Sequence, residues 1–150
     1  MPTDPMVVSL VMGERSLQIC GVSDYATQLY RALEETSEVI PHLHAVNART
    51  GIADAGAVLE TLRSIRADHP HIVHFQYPSL AYNRRLIALL LPALVHLRRR
   101  RSRPRIVVTF HESANPTRFW ELRYGAALKA ADAVIRVAET VEFSPWQGRV

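Results

Sequence analysis

The amino-acid sequence predicts an α/β domain built on a doubly wound, mostly parallel, Rossmann-like sheet of about five strands. Three observations carry this. Short apolar runs rich in β-branched residues alternate with longer amphipathic segments along the chain, and no segment repeats or falls into low complexity. The amphipathic segments have the roughly 10–15-residue length of crossover helices, which implies βαβ units with right-handed connections. The 150 residues, 48% hydrophobic and 21% charged, have a mean hydropathy of −0.02, the balance of a domain with one core.

Residues 6–12, Met6-Val7-Val8-Ser9-Leu10-Val11-Met12, are short, β-branched and apolar on both faces, the pattern of a buried strand. A loop is expected over 13–21. Ser23 or Asp24 can then cap a helix whose apolar positions Ala26, Leu29, Tyr30 and Leu33 recur at helical spacing and stop at Glu34-Glu35. Residues 39–46 read as a second, more polar strand. Residues 53–67 place Ala57, Val58, Leu62 and Ile65 on one helical face, and Pro70 ends that segment. A third strand is expected at 71–76, a third helix at 84–99, a fourth strand at 105–110, a fourth helix at 117–130 and a fifth strand at 133–137. The domain is therefore expected to span 1–140, with a tail at 141–150 where Pro145, Trp146 and Gly148 interrupt the pattern.

Composition removes several classes of protein. A domain of this size hides roughly 68–70% of the surface of its unfolded chain, so no disulfide framework or structural metal is required. The single cysteine, Cys20, cannot form an internal disulfide, which fits a reducing, intracellular setting. No basic segment precedes the first apolar run, so a secretory signal is not expected. The apolar run 86–97 contains His96 and is well short of the roughly 20 residues that span a bilayer. Of the 18 basic residues only Lys129 is lysine, a skew read as the coding bias of a GC-rich genome.

Ligands of open parallel sheets bind beyond the carboxyl ends of the strands, so the residues there hold the functional information. After the first strand, Cys20-Gly21-Val22-Ser23-Asp24-Tyr25 opens a helix, and the free N–H groups of a helix N-terminus attract an anion. The spacing matches neither the dinucleotide fingerprint nor the P-loop, and an ordinary βα turn would look much the same. After the third strand comes His74-Phe75-Gln76-Tyr77-Pro78, whose amide and phenol suit the hydroxyl groups of a sugar. His71 and His74 lie three apart on a strand and face opposite ways, which argues against a shared zinc ion. After the fourth strand, His111 and Glu112 end an apolar run and are placed to orient a ligand or carry a proton. The 98–105 segment has six arginines in eight residues, including Arg98, Arg99, Arg100 and Arg101. Such a patch is either a solvated helix end or a contact for anionic lipid. Nucleic acid is the weaker anionic partner, because Phe119, Trp120 and Tyr124 do not interleave with the arginines.

In order, four segments resemble the N-terminal, acceptor-side domain of family 4 glycosyltransferases of the GT-B fold. They are the 20–29 loop and helix, the strand end His74-Phe75-Gln76-Tyr77-Pro78, the strand Val108-Thr109-Phe110-His111-Glu112, and the 130–137 segment. The resemblance covers residues 6 to 140. It implies an enzyme that moves a sugar from a nucleotide-sugar to an acceptor hydroxyl with retention of configuration, with no bound metal and no cofactor beyond the nucleotide-sugar co-substrate. Gly21 and Val22 would then lie against the donor phosphates, and His111 would be the catalytic-site residue beside the transferring sugar. Asp24, Tyr25, Gln76, Tyr77 and Glu112 would contact the acceptor. Some members of the family attach to membranes through a basic surface of this domain, which implies a cytoplasmic protein or one held peripherally on the inner face of the membrane.

The second α/β domain, with the basic pair and carboxylate motif that grip the nucleotide, does not occur in these 150 residues. The resemblance therefore implies a truncated or split acceptor-binding half, inactive alone, that needs a donor domain or separate subunit. The alternative from a different class is a non-enzymatic α/β module that binds anionic membrane or a partner protein through the 98–105 patch.

Overall fold

The computed structural model describes residues 4–13, 21–46, 53–77, 103–111 and 131–137. Within them the chain runs β1 (Met6–Gly13), α1 (Gly21–Glu34), β2 (Val39–Val46), α2 (Ala53–Ala67), β3 (Ile72–Tyr77), β4 (Arg105–Phe110) and β5 (Ala133–Arg136). The strands form one sheet in the order β2-β1-β3-β4-β5, and every pairing is parallel. This is the expected α/β architecture. The helices expected at 84–99 and 117–130, the 47–51 segment and the tail lie outside the described residues.

The apolar runs become the inner strands for a simple reason. A strand between two neighbours, with a helix over each face, has no wet side, so both of its side-chain rows must be apolar. β1 is such a strand: Val8, Leu10, Val11 and Met12 are all buried, and Leu10 has no exposed surface. Each large apolar side chain of this kind contributes roughly 1.5–3 kcal/mol by leaving water. β2 borders only β1. Pro41, paired with Val8, is tolerated there because a strand with one free edge can spare a backbone donor.

Register sorts the side chains onto two faces. Leu10 pairs with His74 and Gln76 with Thr109, so these four share one face; Ser9 pairs with His42 and Val11 with His44 on the other. The end of α2 meets the second face, where Asp68 accepts hydrogen bonds from Ser9 Oγ at 3.2 Å and His44 Nε2 at 2.7 Å. α1 meets the first face, because Tyr25 packs on His111 and His111 bonds to Gln76. The two helices therefore cover opposite faces, which is what doubly wound means.

Helix α2 buries Val58, Leu62 and Ile65, the stripe expected from spacing. It closes at His69, whose φ of 49° is left-handed and whose N–H donates to the Arg66 carbonyl. Pro70 follows and has no N–H with which to complete the usual paired closure.

One local expectation is corrected. α1 begins at Gly21, so Ser23 and Asp24 lie inside its first turn rather than capping it. Ser23 is turned inward, 1% exposed, and Asp24 adds a negative charge where the helix dipole favours one.

Candidate functional site

Strand order places the site. The connection from β1 leads through α1 to one side, and the connection from β2 leads through α2 back past β1 to β3 on the other. The connections diverge between the carboxyl ends of β1 and β3, the switch point at which α/β domains of this strand order take their ligands in a crevice. Gly21 opens α1 at this edge, and His111 follows β4 directly.

A chain of polar side chains runs under the crevice. His111 Nε2 lies 2.7 Å from Gln76 Oε1, Gln76 Nε2 lies 3.4 Å from His74 Nε2, and His74 Nε2 lies 2.7 Å from Thr109 Oγ1. An amide oxygen only accepts and an amide nitrogen only donates, so the orientation of the Gln76 amide sets the protons of the series. His111 donates from Nε2, His74 accepts at Nε2 from Gln76 and from the Thr109 hydroxyl, and the His74 proton sits on Nδ1. Gln76 and Thr109 have no exposed surface, and His74 is 7% exposed.

Both imidazoles are held neutral. Burial pushes the His74 pKa down to about 4, helped by the positive charge His111 would carry nearby. Burial also lowers that of His111. The His111 ring meets the edge of Tyr25 with centroids 5.1 Å apart and planes at 75°, so α1 and β3 hold it from two sides. With Nε2–H committed to Gln76, the lone pair of a neutral His111 is on Nδ1, ready to accept from a ligand hydroxyl.

The other expected site residues fall out as follows. At Gly21 a side chain would meet nothing within 4 Å, so the helix start faces open space. Val22, Asp24 and Tyr25 are half-buried on the first turn of α1, and Tyr25 is brought to His111. Gln76, expected as an acceptor contact at a strand end, is instead enclosed, with its amide oxygen on His111 Nε2. Tyr77 is the last residue of β3. Glu112 and Arg98, Arg99, Arg100 and Arg101 lie outside the described residues.

Sequence reasoning missed Thr109 and the bonding role of His74. A polar residue inside an otherwise apolar strand, as in Val107-Val108-Thr109-Phe110 and Ile72-Val73-His74-Phe75, was the available signal. Among the described residues, no group of three or more His, Cys, Asp or Glu is arranged to hold a metal ion, and no helix is long and apolar enough to cross a membrane. Ser23 Oγ is a buried hydroxyl with no hydrogen-bond partner among the described residues.

The class these features define is architectural: an all-parallel α/β domain with a series of polar side chains at the carboxyl ends of β3 and β4. Comparison of the chain with known protein families, with curated proteins and with solved structures finds no match.

Proposed function

We propose that these 150 residues form the acceptor side of a retaining glycosyltransferase-type active site, with the donor side supplied by another stretch of polypeptide. The observation that supports the reading best is the Thr109–His74–Gln76–His111 series. It anchors a neutral imidazole at the rim of the crevice, beside the N-terminus of α1. A neutral imidazole whose one proton is already committed is suited to accepting a sugar hydroxyl, and it adds no charge that would trap a phosphate in the wrong place. The phosphates of a nucleotide-sugar would sit against Gly21 and Val22, where backbone N–H groups and the helix dipole favour negative charge.

The resemblance of the four segments to the glycosyltransferase domain is what directs this geometry toward sugars. In this reading His111 touches substrate, Tyr25 and Gln76 position His111, and His74 and Thr109 hold Gln76. A donor domain is needed for turnover.

Saturation-transfer NMR on the purified chain, with a panel of monosaccharides, inositols and nucleotide-sugars, tests the proposal. The expected result is contact with a polyhydroxy ligand that is lost in His111→Ala, and no consumption of any nucleotide-sugar by the chain alone. Absence of polyhydroxy binding, or binding indifferent to His111→Ala, overturns the reading; nucleotide-sugar turnover by the chain alone overturns the requirement for a second domain.

A further inference from the structure

At the opposite end of the sheet from the crevice lies a cleft of roughly 590 Å³, lined by Arg66, His69 and Pro70 from the turn after α2, His71 and Ile72 at the start of β3, and Arg103 to Arg105 entering β4, with Met6 and Ile65 as its apolar floor. That volume is in the range of small-molecule sites. Its lining contains three arginines and two histidines and no carboxylate. The carboxylates on the neighbouring turns are engaged elsewhere. Asp68 accepts from Ser9 and His44, and Asp132 accepts from the Ile106 N–H at 2.9 Å.

Three further features make this more than a basic surface. First, none of the three guanidinium groups has a salt bridge among the described residues, and Arg66 Nε is buried without a hydrogen-bond partner. Buried donors are normally paired, so an arginine left this way marks a place where a counter-charge is missing. Second, His71 Nδ1 accepts the Val7 N–H at 3.0 Å, which puts its proton on Nε2 and makes it a donor even when neutral. Third, the cleft is rigid. The His71 N–H donates to the Val7 carbonyl at 2.9 Å and the Arg105 N–H to the His71 carbonyl at 2.8 Å, tying the three strand entrances together, while Pro70 and Pro104 fix the backbone between them. A concave, preorganised set of donors without an acceptor of its own is complementary to an oxyanion.

We infer that this cleft binds the phosphate group of a phosphorylated ligand, through Arg66, His71, Arg103 and Arg105, at a site separate from the crevice between β1 and β3. Arginine forks match phosphate oxygens two at a time, and the imidazole N–H adds a further donor. His69 lines the same cleft in a left-handed conformation that glycine would adopt at less cost, as expected where a side chain is retained for binding.

The test is a titration of the purified chain with inorganic phosphate and with pyrophosphate at low ionic strength, read by calorimetry. Saturable binding is expected, weakened at least tenfold in the double variant Arg103→Ser and Arg105→Ser and unchanged in Arg31→Ser, which removes an exposed arginine on α1. Because Arg105 begins a strand, circular dichroism checks the double variant, and Arg103→Ser alone, ahead of β4, gives the same direction with a smaller loss. No saturable binding of either anion, or equal binding by the wild type and the folded variants, overturns the inference. Two further arms identify the source of the phosphate. Sedimentation with phosphatidylglycerol vesicles that added phosphate reverses, and that phosphatidylcholine vesicles do not show, assigns a lipid headgroup. Anion binding without phosphate-reversible sedimentation assigns a soluble phosphorylated molecule.

Discussion

Acid should destabilise this protein through His74 in a way that can be separated from every other titrating group. The folded chain holds His74 neutral down to about pH 4, whereas an unfolded histidine takes its proton near 6.5. The unfolded state therefore binds the extra proton first, so stability from this group is complete above pH 6.5 and falls as pH drops from 6.5 toward 4. The gap between the two values corresponds to on the order of 3 kcal/mol when fully expressed. At pH 5.5 the loss is about 1 kcal/mol, and at pH 4.5 it approaches the full amount. The reference is His74→Gln, which still offers an acceptor to Gln76 and Thr109 but does not titrate. Urea unfolding of both proteins at pH 7.5, 5.5 and 4.5 isolates the effect, because other ionisations cancel in the difference. The wild type should lose its advantage over His74→Gln progressively with acid. A difference that stays constant across the three pH values would refute the buried, neutral assignment of His74.

Two other perturbations follow from the same geometry. Asp68→Asn should cost about 1–3 kcal/mol in urea unfolding, because it withdraws charged acceptance from His44, whose side chain is 9% exposed, and from Ser9; a loss below about 0.5 kcal/mol would show that the cluster is not structural. Ser23→Ala should leave stability unchanged or raise it by up to about 1 kcal/mol, since the hydroxyl is buried without a partner and alanine is the better helix former. A clear loss of stability in that variant would mean that the hydroxyl is satisfied in solution.

Much of this fold is legible in the sequence because each element solves one local problem. Val39–Val46, Ala53–Ala67 and Arg105–Phe110 emerge with the bounds expected from apolar periodicity and the flanking Pro, Gly and charged residues. The start of α1 was obscured because Ser23 is an excellent cap by composition, yet its side chain faces inward. Whether a serine caps or packs depends on what lies across the helix, and the linear sequence does not state that. The site was half legible for a similar reason. His111 and Gln76 stand out at strand ends, where polar residues are noticed. The bond between them depends on β3 and β4 being neighbours with Gln76 opposite Thr109, a pairing set by the order of the whole sheet. The basic cleft was legible only in part: Arg103 and Arg105 belong to the arginine-rich 98–105 segment, but Arg66 and His71 are far from them along the chain and join them only where three strands begin.

The parallel sheet also has a consequence for synthesis on the ribosome. β1 can pair with β2 soon after both emerge, but its other edge waits for β3, and the Val7–His71 contact spans 64 residues. At elongation rates of about 5–20 residues per second, that edge stays unpaired for roughly 3–13 s. During this interval a strand carrying Val8, Leu10 and Val11 offers open backbone donors and acceptors to any neighbouring chain. A strand that ends buried between two neighbours is thus also an exposed liability of the nascent chain, and slower translation would lengthen the time for which it needs a chaperone.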